Sequence, residues 1–377
     1  MSREVLEALL AARVVPALAE LQAYVPDQET VPVRLDANEA PALLPTLSVE
    51  ERALWDRTLS EVEPARYPDV RARALRRAIA HRGGVDPEGL VIGCGSDEVI
   101  AILLAALARP VSGPPKIVIP TPTFVMYRIS ARVHGYEVCE VPLDARWDLD
   151  RPAMLAALER ERPAVVFLAT PNNPTSGAYA YESVAAIAEA AARIDPPSLV
   201  VVDEAYLAFR QAGADPWAGR TGLELLARHA NVVVLRTLSK IGLAALRVGY
   251  AVAHPLLARE LEKARLPYDL PAHSQVAATL ALGALAPAID RHVAAIGRER
   301  ARVVAALQSR SGVECDAERT HANFAWVRAD GAADLAAGLK QKGVLVRTFK
   351  AYPDRFRVSF GSEVENARFL AALGELR

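Results

Sequence analysis

Lys240 is the residue whose type and setting point most directly to chemistry. The 377-residue chain uses only six lysines, and this one follows an apolar strand pattern inside the Gly-containing run TLSKIGLAAL at 237–246. A lysine withdrawn from water has a lowered pKa and becomes a nucleophile that forms Schiff bases with carbonyl compounds. A solvated lysine at a strand end is the simpler alternative, so this position needs support from other residues.

A second stretch has the pattern of an anion site. GCGSDE at 93–98 follows an apolar run at 90–92 and precedes an apolar helical pattern. Glycines permit close approach of the backbone, and the free N–H groups at a helix start bind phosphate. Gly95, Ser96 and Asp97 are therefore a candidate phosphate cradle, with simple capping of the helix by Ser96 as the alternative.

Two further loops place polar side chains after apolar strands. PNNPTSG at 171–177 is a turn that its prolines make rigid, and it would hold the amide of Asn173 in a fixed place. Asp203 ends a buried Val-rich run and needs a partner, since an isolated buried carboxylate protonates; Tyr206 follows three residues later. The alternatives are self-bonded asparagine side chains in the turn and a salt bridge from Asp203 to an arginine.

These four loops are more informative together than singly. In open α/β sheets, ligands bind at the carboxyl ends of the strands, where all four loops begin. A phosphate cradle, an amide, a buried carboxylate, a phenol and an amine are the groups that pyridoxal 5′-phosphate (PLP) chemistry requires. The sequence therefore predicts a PLP site.

The elements that would position these residues alternate between strand and helix patterns from about residue 90 to 240. Near-continuous Val/Ile/Leu runs are typical of strands covered on both faces. The pattern predicts an α/β layer with a mainly parallel sheet, and an antiparallel strand at 247–253 on the edge of that sheet. The predicted strands are 90–92, 116–120, 137–143, 164–169, 199–203 and 232–238.

The chain beyond this layer predicts a smaller α+β domain. Helical patterns at about 255–264 and 273–310 precede three short strand patterns and a final helix from about Ser362. We expect residues 1–45 to form an N-terminal arm and part of the small domain. Residues 46–265 are expected to form the large cofactor-binding domain, and residues 266–377 the small C-terminal domain.

Composition narrows the class of protein. With 52% hydrophobic and 24% charged residues and a formal net charge of −1, the chain resembles an ordinary globular protein without attraction to nucleic acid or anionic membranes. Its three cysteines are isolated, which suits a reducing compartment, and no leader peptide, membrane span or metal-ligand spacing is visible. We expect a cytoplasmic protein without a metal.

The order of these motifs resembles the fold-type I PLP-dependent aminotransferases, and within them the histidinol-phosphate aminotransferases. The resemblance runs from about residue 20 to the C-terminus. The stretches that carry it are LDANEAP at 35–41, RYPD at 66–69, GCGSDE at 93–98, PTFVMY at 122–127, PNNPTSG at 171–177, DEAY at 203–206, TLSKIGLAALRVGY at 237–250, RLPYDL at 265–270 and FRVSFGSEVEN at 356–366.

The resemblance implies roles around the cofactor. Lys240 would carry PLP as a Schiff base, Asp203 would pair with the pyridinium nitrogen, and Phe124 would stack on the ring. The phenolate oxygen and the phosphate would each have their own set of contacts. These are Tyr206 and Asn173 for the oxygen, and Gly95, Ser96, Asp97, Ser239 and Arg247 for the phosphate, with Tyr67 reaching the phosphate from the neighbouring subunit of a homodimer.

It also implies a substrate pocket. Arg357 would receive the α-carboxylate of the amino donor, and Arg347 in VLVRTF would be a second arginine of the pocket. Tyr24 would close over the substrate, and Asn38 would lie beside it. The chain departs from the family pattern at Ala40-Pro41, at Ser176 and at Asp269, and its Lys240-to-Arg247 interval is one residue shorter than in many members.

The implied activity is a ping-pong transfer of the amino group between L-histidinol phosphate and 2-oxoglutarate, a step of histidine biosynthesis. Three alternatives stay open. They are an aromatic or other amino-acid aminotransferase, a threonine-phosphate decarboxylase, and a non-catalytic PLP-sensing protein.

Overall fold

A mixed seven-stranded sheet forms the centre of the computed structural model, which describes residues 3–15, 18, 30–110, 113–210 and 215–376. Its strand order is β2-β8-β7-β6-β5-β3-β4, and all neighbouring pairs are parallel except the two that involve β8. These strands are β2 (Leu90–Cys94), β3 (Lys116–Thr121), β4 (Glu137–Pro142), β5 (Val165–Ala169), β6 (Leu199–Asp203), β7 (Val232–Thr237) and β8 (Val248–Val252).

Helices cover both faces of this sheet, as its apolar strands require. Every residue of β5 and β6 is buried, so neither face of these strands meets water. The covering helices before β8 are α2 (Val49–Ser60), α3 (Arg73–Gly83), α4 (Ser96–Ala106), α5 (Val125–Val133), α6 (Arg151–Glu161), α7 (Tyr181–Arg193) and α8 (Gly222–Arg228); α1 (Arg3–Arg13) has no buried residue. The α/β class with a mainly parallel sheet is confirmed.

Two expectations about elements are wrong. The strand predicted at 247–253 is antiparallel, but β8 lies between β2 and β7 rather than at the edge. Gly249 lets it approach the start of α4, because a Cβ there would lie 2.2 Å from the Ser96 nitrogen. The helical stretch at 273–310 is two helices, α10 (Ala272–Leu282) and α11 (Ala286–Gln308), which bend by 80° around Gly283.

A second, antiparallel sheet forms the core of the C-terminal part. Its order is β12-β13-β10-β9, and a separate parallel pair joins β1 near the N-terminus to β11. The remaining elements are β1 (Val33–Arg34), α9 (Pro255–Glu262), β9 (Val313–Cys315), β10 (Phe324–Ala329), α12 (Ala332–Gln341), β11 (Val344–Leu345), β12 (Arg347–Phe349), β13 (Tyr352–Ser359) and α13 (Glu363–Gly374). The division into domains at residues 45 and 265 stays a prediction.

In the part of the chain that the structure describes, no single helix is long and apolar enough to cross a membrane. The bent pair α10 and α11 has the length and apolar composition of a membrane span only when the two helices are counted together.

Candidate active site

A cavity of about 330 Å³ opens at the carboxyl edge of the seven-stranded sheet. The loops after β2, β3, β5, β6 and β7 form its floor, and segments from the N-terminus and from β12 and β13 close its other side. The structure brings together at its wall most of the residues that the sequence singled out. These are Asn38, Ser96, Asp97, Phe124, Asn173, Asp203, Tyr206, Ser239, Lys240, Arg247, Arg347 and Arg357.

Asp203 is a buried carboxylate at the end of β6. Its Oδ2 accepts a 2.6 Å hydrogen bond from the Tyr127 hydroxyl, and its Oδ1 accepts one of 2.9 Å from the Ala205 amide. Burial raises the pKa of Asp203 to about 6, although these two hydrogen bonds act in the opposite direction. The site therefore holds a carboxyl group that a cationic partner would keep ionised.

Lys240 lies in the 3-10 turn Ser239–Ile241 that follows β7. Its Nζ is 5.8 Å from the centre of the Tyr206 ring, and the charge of Lys240 partly opposes the rise that burial causes in the pKa of Asp203. The Tyr206 hydroxyl accepts a 2.9 Å hydrogen bond from Nδ2 of Asn38. Asn38 has a positive φ of 56°, an uncommon conformation for a residue other than glycine. An amine, a phenol and a fixed amide thus face the same cavity.

The start of α4 has the features of an anion cradle. Gly95 precedes the helix at a φ of +83°, and a Cβ there would lie 2.3 Å from Nη2 of Arg247. Arg247 also lies 3.5 Å from the Ser239 hydroxyl and 3.5 Å from Asp97. A helix N-terminus beside a guanidinium and a hydroxyl favours phosphate.

Arg357 reaches the cavity from β13 and is buried. Its Nη1 donates to Oδ1 of Asn173 at 2.5 Å and its Nη2 to the backbone carbonyl of Asp36 at 2.6 Å. These contacts hold the planar guanidinium in one orientation, which suits bidentate recognition of a carboxylate. In this structure the Asn173 amide contacts Arg357, so its predicted contact with a cofactor oxygen stays a prediction.

Aromatic rings form two further parts of the wall. Phe124 precedes α5 and packs edge-on against Tyr127, with ring centres 5.5 Å apart. Phe349, on the same short strand as Arg347, packs edge-on against Trp326 at 5.0 Å. A flat aromatic ligand could therefore stack on Phe124, while Arg347 offers a second cationic group.

Of the predicted residues that the structure describes, Gly95 and Tyr67 do not line this cavity, although Gly95 directly precedes Ser96, which does. Tyr67 is 82% exposed and stacks on Tyr268 with ring centres 4.6 Å apart, at a separate surface depression. Its predicted role in a neighbouring subunit stays a prediction. Tyr24 lies outside the described residues.

The sequence analysis missed six polar or aromatic residues of the cavity wall: Asp36, Glu39, Thr123, Tyr127, Thr237 and Phe349. All six lie inside the stretches LDANEAP, PTFVMY, TLSKIGLAALRVGY and VLVRTF, which had already been singled out. The sequence motifs therefore already contained these residues, although the analysis did not single them out individually. What the sequence did not show is that Tyr127, in the first turn of α5, donates a hydrogen bond to Asp203.

An α/β protein with a lysine, a buried acid and an anion cradle at one sheet edge has the layout of a cofactor-dependent transferase. The model of the family "Aminotransferase class I and II" matches residues 30–373, and the chain belongs to this family.

Individual relatives are similar over nearly the whole chain. The histidinol-phosphate aminotransferase of Chromobacterium violaceum is 39% identical over 95% of this chain and 96% of its own length. That of Paracidovorax citrulli is 37% identical over 96% of each. A crystal structure of the Sinorhizobium meliloti histidinol-phosphate aminotransferase in complex with pyridoxal-5′-phosphate superposes with a TM-score of 0.81, covers 97% of both chains and is 24% identical, which shows the shared fold.

Proposed function

We propose that this aminotransferase binds PLP at Lys240 and transfers the amino group of L-histidinol phosphate to 2-oxoglutarate. The observation that carries the proposal is the placement of Lys240, Asp203 and the α4 anion cradle around one cavity. The proposed substrate is supported by relatives named histidinol-phosphate aminotransferase, which match this chain over nearly their entire length.

The residues of the cavity fit PLP group by group. The raised pKa of Asp203, about 6, marks a buried carboxyl group without a full cationic partner, and a protonated pyridine nitrogen would supply one. Gly95 leaves room for an anion beside Arg247, since a side chain there would collide with the guanidinium. Phe124 offers a ring face, and Tyr206 with Asn38 offers polar groups for the phenolic oxygen.

Bound PLP supplies an electron sink that stabilises negative charge at the carbon from which a proton is removed. The chain would supply the other functions. Lys240 Nζ would hold the cofactor and, once free, carry the proton between the two carbons concerned. Asp203 would keep the ring nitrogen protonated, and Tyr127 would hold that carboxylate in place. Asn38 would orient the Tyr206 hydroxyl toward the reacting end of the cofactor.

Two arginines would account for substrates of different shape. Arg357 would bind the carboxylate of glutamate or 2-oxoglutarate, because Asn173 and the Asp36 carbonyl already fix its orientation. Arg347, the cross-strand partner of Arg357 between β12 and β13, would bind either a distal carboxylate or the phosphate of histidinol phosphate. Both are oxyanions, so one pocket can serve both half-reactions.

We also propose a cytoplasmic homodimer in which Tyr67 completes the phosphate site of its neighbour. Tyr67 does not line the cavity of its own chain, and an 82% exposed tyrosine beside a tyrosine that is 44% exposed is a surface that a partner could cover. The free state of Cys94, Cys139 and Cys315 suits a reducing compartment.

The first experiment is an absorption spectrum of the PLP-loaded protein during sequential addition of substrates. We expect L-histidinol phosphate to bleach the visible band of the lysine-bound cofactor and 2-oxoglutarate to restore it. A band that bleaches only with an aromatic amino acid would keep the aminotransferase and replace the substrate. Release of CO₂ from L-threonine phosphate would favour the decarboxylase, and absence of the band would contradict the role of Lys240.

Complementation tests the shared site. Lys240→Ala and Tyr67→Ala each damage the site, but a mixed dimer would contain one site with both native residues if Tyr67 acts across subunits. We therefore expect mixing and refolding of the two variants to restore activity above that of either variant alone. No recovery in a verified mixed dimer would place Tyr67 in its own chain's site or outside catalysis.

A further inference from the structure

A second cavity, of about 590 Å³, lies between the seven-stranded sheet and the long helix α11. One wall is the face of α11 that carries Ile289, Val293, Gly297 and Arg300, which follow one another at helical spacing. The facing wall is the segment after β6 up to Arg210.

This cavity is separate from the cofactor site. Asp203 lines the cofactor cavity, whereas the next residue, Glu204, lines the second one. Ala205 and Thr237 line both cavities and form part of the wall between them. A ligand in the second cavity would therefore lie behind the segment that positions Asp203 and Tyr206, without touching the cofactor.

Two of the four arginines that line this cavity are neutralised by carboxylates. The Oε2 of Glu204 accepts hydrogen bonds of 3.0 and 2.8 Å from Nε and Nη2 of Arg236, and both side chains are largely buried. At the rim, Arg82 pairs with Asp290. Of the other two arginines, Arg210 has a carboxylate oxygen of Asp215 3.5 Å from its Nη1, whereas Arg300 forms no ion pair among the described residues.

Arg210 is buried, with a side chain only 5% exposed. Within the described part of the chain, its Nε and Nη1 have no hydrogen-bond partner, although Nη1 lies 3.5 Å from an oxygen of Asp215. The carboxylate of Asp215 also accepts hydrogen bonds of 3.0 Å from the amides of Trp217 and Gly219, so Arg210 shares this partner with two backbone groups. Buried donors without acceptors are costly, so Arg210 is a candidate for binding an external anion.

Arg300 approaches the same space from α11. Its hydrogen-bond partner is the carbonyl of Phe209, a neutral group, and among the described residues no carboxylate lies within ion-pair distance of it. Burial lowers the pKa of both Arg300 and Arg210, which is the response of a cation removed from water without full compensation. The cavity thus carries an excess of positive charge.

We propose that this cavity is a second binding site, for a small organic anion whose carboxylate or phosphate group contacts Arg210 and Arg300. The rest of the wall is mainly apolar and includes Leu207, Leu282 and Val293, so the anion would have an apolar body. The site is independent of the transamination proposed above, because it contains none of the residues assigned to that reaction.

Gly297 allows a test that removes no buried charge. A Cβ added there meets nothing within 4 Å, so a leucine side chain would project into the cavity and occupy it. Gly374, in α13, also has open space around its Cβ and provides the matched control Gly374→Leu. Arg300→Gln tests the charge, and Arg193→Gln, at an exposed ion pair with Glu189, controls for loss of an arginine elsewhere.

Equilibrium dialysis of the PLP-loaded enzyme against benzoate, phenyl phosphate and inorganic phosphate gives the readout. We expect two benzoate molecules per chain, one in the second cavity and one beside Arg357. Binding in the second cavity should be lost in Gly297→Leu and about tenfold weaker in Arg300→Gln. Binding beside Arg357 should be lost in Arg357→Gln. Whichever of benzoate and phenyl phosphate binds more tightly in the second cavity identifies the anionic group of the ligand. Inorganic phosphate should bind there more weakly than either compound.

A single benzoate site that Arg357→Gln abolishes and Gly297→Leu leaves unchanged would overturn the proposal. So would equal loss of binding in Gly374→Leu or Arg193→Gln, since neither side chain is near the cavity. Inorganic phosphate binding as tightly as benzoate would contradict the apolar body of the ligand.

Discussion

The Tyr127 hydroxyl and the Asp203 carboxylate are joined by a 2.6 Å hydrogen bond between two buried side chains. This bond lowers the pKa of Asp203 against the larger effect of burial, which raises it. Tyr127 also stacks on Phe167 of β5 with ring centres 4.7 Å apart, so its position is fixed by packing. We infer that Tyr127 positions Asp203 and keeps it ionised for the cofactor ring.

Tyr127→Phe should therefore weaken PLP binding while leaving the fold intact. Loss of a hydrogen bond to a charged group costs about 1.5–3 kcal/mol, which corresponds to at least a tenfold rise in the Kd for PLP. The measurement is a fluorescence titration of the apo-protein with PLP. Tyr136→Phe is the matched control, because it removes a buried hydroxyl that donates to the Leu104 carbonyl away from the site. Equal losses in the two variants would contradict a specific role for Tyr127.

Lys240→Ala should abolish covalent attachment of PLP and nearly all turnover. Reduction with borohydride followed by mass spectrometry measures the attachment directly, and it does not depend on knowing the substrate. Lys263→Ala, which removes an exposed lysine paired with Glu260, should behave as the native protein. A Lys240→Ala protein that was still active and still carried covalently attached PLP after borohydride treatment would contradict the assignment of the site.

Asp203→Asn should change how the stability of the apo-protein depends on pH. The folded-state pKa of Asp203 is raised from 3.8 to about 6, so its ionisation favours the unfolded chain as the pH rises through this interval. Below the unfolded-state pKa, the folded and unfolded chains are both protonated at Asp203, and the folded protein loses no stability. Above the folded-state pKa, the ionised carboxylate lowers the free energy of unfolding by about 3 kcal/mol. The asparagine variant lacks this cost.

Urea unfolding of both apo-proteins at several pH values measures the difference. We expect the free energy of unfolding of the variant, relative to the native protein, to increase between about pH 4 and pH 6 and then to level off. A difference that does not vary with pH would show that Asp203 is not desolvated in the folded apo-protein.

Gly249→Ala should damage the anion cradle from behind. An added Cβ would lie 2.2 Å from the Ser96 nitrogen and 2.4 Å from the Gly95 carbonyl carbon, so the start of α4 must move. We expect a loss of about 1–3 kcal/mol of stability and weaker retention of PLP on gel filtration. Gly374→Ala, which meets open space in α13, should be neutral or slightly stabilising. An unchanged PLP content in Gly249→Ala would argue against the cradle at α4.

The class of fold and the cofactor site were predictable from the sequence because their signals are local. Asp203 ends a strand, and Lys240 and the segment 95–97 each follow one, and the apolar run of each strand is visible in the sequence. Parallel strands align their carboxyl ends at one edge, so residues far apart in the chain meet there without further information. The resemblance to the aminotransferases then implied the roles that we propose for them.

Strand order and the substrate side of the cavity were decided only by the tertiary structure. β8 reads as a terminal strand in sequence order, yet it lies inside the sheet because β2 pairs with its free side. Arg357 is oriented by the carbonyl of Asp36, 321 residues away along the chain. Such contacts depend on how segments far apart in the chain pack together, and neither a periodicity nor a motif predicts that packing. The sequence therefore determined which chemical groups this protein carries at its sheet edge, while the packing of distant segments decided which of them touch.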